Sequence, residues 1–211
     1  PLISYLLYGK TDEQRMKYRP DSFYKEKKCT AMLGRTAEKV NAEAKKVILD
    51  NGEEIPYDKL LIAAGSAPFI PPMNGLEKVE KRFTFLSLDD AKALEKAISA
   101  DSRVLIIGAG LIGLKCAEGI CDRVKQITVV DLADRILPSI LDEEGSGIVQ
   151  EHIEKKGIRF FLNDSAAELT DGRAVLKSGT ELDFDVLVVA VGVRPNISLA
   201  AEAGAETGRG I

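Results

Sequence analysis

Short, predominantly apolar runs recur along the chain at 60–64, 104–107, 127–130 (where Thr128 is the one polar residue) and 186–191, and each is closed by a glycine or an acid: Gly65, Gly108, Asp131 and Gly192. Runs of this length without polar alternation predict parallel strands covered on both faces rather than helices, which need about ten residues or more. A helical pattern fills the interval from Leu111 to about Arg123. Another starts at Ser87 and reaches about Ala100, with Ala91, Leu94, Ala97 and Ile98 on its inner face. Ser87-Leu-Asp-Asp90 has the form of a capping box, with Asp in place of the usual Glu or Gln. Asp142 heads a third helical stretch through Ile148, Val149 and Ile153, which Gly157 ends, and residues 158–162 follow as a further parallel strand. This alternation predicts the α/β class, with a parallel sheet and crossover helices.

Elsewhere the pattern shortens. Residues 37–41 and 46–50 flank a turn, and Asp50-Asn-Gly52 turns the chain again before 54–57, which predicts a small antiparallel β meander. Residues 166–184 read as further short strands around Asp171-Gly172 and Ser178-Gly179. Residues 1–9 carry apolar side chains at helical spacing, 21–28 read as a short helix and 29–33 as a strand. Residues 60–65 read as a buried strand, after which Pro68, Pro71 and Pro72 stiffen an irregular connection.

The turn after residues 104–107 adds chemistry to this outline. In Gly108-Ala-Gly110-Leu-Ile-Gly113 the first glycine allows a tight turn, the second lets backbone approach a pyrophosphate, and the third lets helix and strand pack closely. The amides of Leu111 and Ile112 then stand at a helix N-terminus, where free N–H groups and a partial positive charge suit that anion. Such a glycine set is weak alone. Its context strengthens it: a strand before, a helix after, and Asp131 closing the next strand about eighteen residues on, where a carboxylate holds the adenosine ribose. A dinucleotide is the expected ligand. Asp131 would repel a 2′-phosphate, and Leu132 and Ala133 offer no cation, so NADH is expected to bind better than NADPH.

The 211 residues suffice for one large or two small domains, and aromatics are few, as in proteins built on buried parallel strands. A net charge of -4 and a pI near 5.3 argue against a nucleic-acid partner. The longest apolar stretch, residues 104–114, carries three glycines and falls short of the roughly 20 residues of a membrane span, so no membrane association is expected. Three cysteines, Cys29, Cys116 and Cys121, show no metal or CxxC spacing; they point to a reducing, cytoplasmic setting and to packing roles.

Taken together, residues 104–118, 127–138 and 188–196 resemble the nicotinamide domain of the pyridine-nucleotide, FAD-dependent oxidoreductases with two dinucleotide domains. Tyr57-Asp-Lys-Leu-Leu-Ile-Ala-Ala-Gly-Ser66 is similar to that family's second flavin-domain motif, with Ala64 where Thr is usual, and Asn51-Gly-Glu-Glu-Ile-Pro56 fits before it. The resemblance implies a Rossmann-like FAD/NAD(P)-binding fold in three parts: residues 1–83 a partial FAD-binding domain, 84–191 an NAD(H)-binding domain, and 192–211 a return into the first. The family's glycine motif for the FAD pyrophosphate would lie before Pro1 and its Gly-Asp motif after Ile211, so the chain is expected to be a fragment with an incomplete flavin domain. By the same resemblance Gly192 lines the nicotinamide side, Ala37 lies at an adenine-side backbone contact with FAD, and Ala64-Gly65 lie near the middle of that cofactor. The implied activity is hydride transfer from NADH to FAD, held in the full-length protein, with electrons passing to a protein or prosthetic-group acceptor. Residues 1–6 are similar to the stretch found in nitrite, rubredoxin and ferredoxin reductases and unlike the Cys-containing stretch of NADH oxidases and coenzyme A disulfide reductases, which implies no redox-active cysteine.

An alternative from another class is a catalytically silent nucleotide-binding or redox-responsive interaction module; oligomeric state is open, an oligomer included. Tyr24-Lys-Glu-Lys-Lys28 matches the YxxxK pair of short-chain dehydrogenases but lies upstream of the glycine turn, and chance explains it better. His152, the only histidine, reads as solvent-facing, and no metal site or catalytic triad is expected. Asp142, Glu143 and Glu144 read as helix N-terminal charge. Lys115 stands where the family usually has Glu, close to where nicotinamide and flavin meet, and could pair with Glu118 at i,i+3.

Overall fold

The helical spacing at the start of the chain forms α1 (Leu2–Leu7), with Leu7 buried. The computed structural model describes residues 2–211. The chain divides into two units, one made of residues up to 16 with 68–192, the other of 17–67 with 193–211. The boundary expected at 83/84 thus falls inside the first unit. The reason is local packing: the Leu169 N–H donates to Asn74 O, and Val79 is buried in the same core as Leu169.

In the second unit α2 (Phe23–Glu26) is a single turn, shorter than expected. It is followed by the predicted meander of β1 (Ala37–Asn41), β2 (Lys46–Leu49) and β3 (Glu54–Pro56), antiparallel throughout. Its turns use the side chains expected of them: Asn41 Oδ1 accepts from the Ala44 N–H, and Asn51 Oδ1 from the Glu53 N–H. Two expected strands are corrected here. Residues 29–33 form no strand, and Cys29 is exposed rather than packed. Residues 60–65 also form none: among the described residues no strand pairs with them, and Leu61 is 87% exposed. An all-apolar run becomes a strand only where neighbours take both its hydrogen-bond edges and its faces. The chain regains a ladder just beyond, in β4 (Ser66–Pro68).

The first unit continues through a 3-10 turn (Leu76–Lys78) to β5 (Arg82–Phe83), α3 (Leu88–Ala97), β6 (Arg103–Ile107), α4 (Leu111–Ile120), β7 (Gln126–Val130), α5 (Glu143–Glu154) and β8 (Ile158–Phe161). Next come β9 (Ala166–Thr170), β10 (Arg173–Leu176), β11 (Glu181–Asp183) and β12 (Val186–Val189). Both sequence-read caps are made. Ser87 Oγ accepts from the Asp90 N–H while Asp90 accepts from the Ser87 N–H, and Asp142 Oδ1 accepts from the Gly145 N–H. Helix α3 stops at Ala97 instead of Ala100 because Ile98 is already extended.

Five parallel strands lie in the order β5-β12-β6-β7-β8; β5 was not expected from sequence, being only two residues long. Side chains alternate across this sheet. Val104, Ile106, Ile127, Val129, Val186 and Val188 face a core shared with α1, α3 and α4, while Leu105, Ile107, Val130, Leu187 and Val189 face the β9–β11 meander through Leu169, Ala174, Leu176 and Phe184. Helices therefore cover one face, and an antiparallel meander the other. Because β7 and β12 flank β6 on opposite sides, the order reverses at the end of β6, the point where open α/β sheets bind ligands. After β12 the chain enters the second unit, where β13 (Val193–Pro195) pairs with β4 and α6 (Ser198–Glu202) packs on β1. No helix among the described residues is long and apolar enough to cross a membrane.

Candidate functional site

The switch point opens into a cleft of about 770 Å³ lined wholly by the first unit. Its floor is Ile107 and Val130, the last residues of β6 and β7, with Ala190 just past the end of β12, and Gly108, Gly110, Leu111 and Ile112 form one wall. The three glycines differ in what they tolerate. Gly108 has φ +115°, and a Cβ there would stand 2.4 Å from Ala190 O; at Gly113 it would stand 2.0 Å from Gly108 O. Those two are fixed by the fold. At Gly110 a Cβ would meet nothing within 4 Å, so its lack of a side chain serves open space in the cleft.

Helix α4 starts at Gly110 with no side-chain cap, unlike α3 and α5. The amides of Leu111 and Ile112 lie in the first turn, where helix geometry supplies no acceptor, and they border the cleft. An uncapped helix start beside the open space at Gly110 fits a diphosphate.

Asp131 is fixed at the cleft by two backbone amides. Oδ2 accepts from the Ala109 N–H at 2.5 Å and Oδ1 from the Ala133 N–H at 2.8 Å. An ionised carboxylate has about four acceptor positions, so two remain for a pair of ribose hydroxyls. Gly192, at φ +125°, lines the same cleft, and its carbonyl accepts from the Phe69 N–H. Gly108, Gly110, Leu111, Ile112, Asp131 and Gly192 thus converge, while Gly113 lies behind the wall and sets its shape.

Ala37, Ala64 and Gly65 belong to the second unit. All three are exposed, and the carbonyls of Ala64 and Gly65 accept from Asn196 Nδ2 and the Asn196 N–H, both at 2.9 Å. Asn196, the last residue of the motif at 188–196, therefore orders residues 64–65.

Sequence reasoning missed further parts of the lining, among them Phe69, Pro71 to Met73, Asp164, Ser165, Ala166 and Lys177. The prolines were visible only as stiffness; Asp164 and Lys177 reach the cleft through the meander, which no local motif announces. Asp164 is 7% exposed, and hydrogen bonding from Ser178 holds its carboxyl below the usual range against burial, with the Ser165 N–H adding to the effect.

The remaining candidates fall away from the cleft. Burial pushes the Cys116 thiol far up, and burial followed by Asp122 raises Cys121, so neither is a ready nucleophile. His152 is exposed on α5. Tyr24 lies in α2 and Lys28 beyond its end at φ +54°, so the two do not share a helix face. Lys115 does pair with Glu118, and its ammonium sits 4.6 Å from the centroid of the Tyr5 ring.

The family described as pyridine nucleotide-disulphide oxidoreductase matches residues 3–211. The chain is 34% identical over 215 residues to the NAD(P)H nitrite reductase of Bacillus subtilis (strain 168), an alignment covering 100% of this chain and 26% of the relative. It is 32% identical to the NADH oxidase of Methanocaldococcus jannaschii, covering 98% of this chain and 48% of the relative. Among solved structures, the reductase of the covalent putidaredoxin reductase–putidaredoxin complex superposes with a TM-score of 0.92 at 25% identity, covering 100% of this chain and 53% of that one. The chain spans between about a quarter and about half of these relatives' lengths.

Proposed function

Since this chain belongs to the pyridine nucleotide-disulphide oxidoreductase family, we propose that the cleft of its first unit binds NADH as the electron donor of a flavoprotein oxidoreductase. The observation that carries the reading is the convergence of the uncapped α4 start, the open wall at Gly110 and the doubly anchored Asp131 on one cleft. In this reading the Leu111 and Ile112 amides hold the pyrophosphate, Asp131 accepts from the adenosine ribose, and Gly192 borders the nicotinamide. Bound NADH would supply a hydride, two electrons with a proton, to FAD. The chain's own residues contribute position and charge: they fix the phosphates, orient the ribose and offer an apolar floor that keeps water from the ring.

FAD belongs to the same reading as cofactor of the full-length protein, with Ala37, Ala64 and Gly65 on its path. Electrons would leave for a redox protein or prosthetic group, as the putidaredoxin complex illustrates for its own reductase. A reducing, cytoplasmic setting suits the three free cysteines.

Calorimetric titration of the 211-residue chain tests the first step. NADH should bind to a colourless preparation, and Gly110→Ala should weaken that binding at least about tenfold while leaving the fold intact. Absence of NADH binding in a folded chain overturns the reading. Reduction of an artificial acceptor by the full-length, flavin-loaded protein then separates an oxidoreductase from a silent nucleotide-binding module.

A further inference from the structure

Asp131 determines one side of the adenosine ribose, but the fold brings a second charge to the same end of the cleft from a distant part of the sequence. Backbone hydrogen bonds place it there. The Asp164 N–H donates to Asp131 O at 3.0 Å, the Asn163 N–H to Ala133 O at 2.9 Å, and the Lys177 N–H to Ser165 O at 2.9 Å. Asp164 Oδ1 clamps this ladder by accepting from the N–H groups of both Ser165 and Ser178. Residues 131–133, 163–165 and 177–178 are therefore one hydrogen-bonded patch, and its anchor Leu176 is 1% exposed in the core. Lys177 projects from that rigid base into the cleft lining, where it is the only Lys, Arg or His among the described lining residues.

Its ammonium makes no hydrogen bond or ion pair with any described residue, whereas the nearest-in-sequence cation to Asp131, Arg135, is tied to Asp134 at 2.9 Å. A rotatable three-donor cation on a flexible four-carbon stem suits an anionic group whose position varies.

We propose that Lys177 is a specificity-determining residue that meets the 2′-phosphate of NADPH, giving a cleft that favours NADH a measurable affinity for NADPH as well. The inference rests on the NADH reading of the cleft. Asp131 disfavours the 2′-phosphate by like charge; Lys177 offsets part of that repulsion from the meander side, and it does so without a partner that binding would have to displace. The two residues act on the same substituent in opposite directions. NADH lacks that phosphate and gains little from Lys177.

Calorimetry on the 211-residue chain with NADH and NADPH, at two ionic strengths, tests this. Lys177 is exposed, so Lys177→Met keeps the stem and should leave the fold unchanged. The expected result is that Lys177→Met weakens NADPH binding about tenfold and NADH binding far less, while Lys177→Arg retains NADPH. In the wild type the NADPH affinity should fall more steeply with salt than the NADH affinity, and the difference should vanish in Lys177→Met. In an Asp131→Ala background the Lys177→Met effect on NADPH should persist. Undetectable NADPH binding by the wild type, unchanged NADPH affinity in Lys177→Met, or equal weakening of both nucleotides would each overturn the assignment. If those results came with intact NADH binding, the NADH reading would survive; failure of the wild type to bind NADH would remove both.

Discussion

Two apolar runs in this chain look alike on paper, Leu-Leu-Ile-Ala-Ala at 60–64 and Val-Leu-Ile-Ile at 104–107, each followed by glycine. In the first unit the second run is β6, paired on both edges by β12 and β7, with exposure between 0% and 7% along residues 104–107. In the second unit the first run has no ladder among the described residues, and Leu61 is 87% exposed. The glycines differ likewise: a Cβ on Gly108 would collide with Ala190 O, while one on Gly65 would meet nothing within 4 Å. Hydrophobic composition expresses a demand for burial, and only neighbours with free edges meet it.

The sharpest way to break that contrast is truncation. Ile106→Ala, at 0% exposure, should cost about 2–5 kcal/mol, whereas Leu61→Ala in the same chain should fall within about 0.5 kcal/mol of wild type. Urea melts of both variants check this, and a Leu61→Ala loss comparable to that of Ile106→Ala would show that residues 60–64 are buried in solution. The next effect concerns binding. Gly110→Ala should leave the melt unchanged and weaken NADH at least about tenfold, because a methyl group there enters only the cleft, while Gly65→Ala should leave NADH affinity unaltered.

A smaller effect is expected at Asp131. Its replacement by Ala removes the ribose acceptor and the charge opposing a 2′-phosphate, so the ratio of NADH to NADPH affinity should narrow by about 1–2 kcal/mol. Equal narrowing in a distant control such as Glu168→Ala would show that the change is general electrostatics. At Lys115 the contact with Glu118 is a partly exposed i,i+3 pair worth a few tenths of a kcal/mol. Lys115→Glu should therefore shift the melt little. In the flavin-loaded full-length protein, stopped-flow measurement should show an altered rate of flavin reduction with NADH affinity nearly unchanged.

The smallest effect lies at the foot of the sheet. The Arg103 guanidinium and then its backbone N–H hold the Asp185 carboxyl below the usual range, stapling the starts of β6 and β12. The folded state thus binds fewer protons than the unfolded chain. This contribution is complete above the unfolded Asp value of about 3.9 and is lost as pH falls through the folded one. Asp185→Asn should lower stability slightly at pH 7 and flatten the acid limb of a pH–stability curve below about pH 4. An unchanged acid limb would assign acid sensitivity to Asp90 and Asp164, whose carboxyls are also held low.

Local chemistry was legible wherever one stretch of chain contains its own reason. Ser87 and Asp142 announce helix starts by the hydrogen bonds their side chains make three residues on, Asn51-Gly52 announces a turn, and Gly108 to Gly113 between an apolar run and a helical pattern announces a phosphate cradle. Asp131 was legible for the same reason, as the end of the adjacent strand. Tertiary structure alone decided which apolar runs find partners, so residues 29–33 and 60–65 were misread while β5, two residues long, went unseen. It also decided that an antiparallel meander, not a second helical layer, covers one sheet face, and that this meander carries Asp164 and Lys177 to the cleft. Those contacts join residue 131 to 164 and residue 165 to 177 through backbone hydrogen bonds between the loops that follow three strands, and the identity of a hydrogen-bonded amide leaves no mark in the side-chain pattern from which a sequence is read.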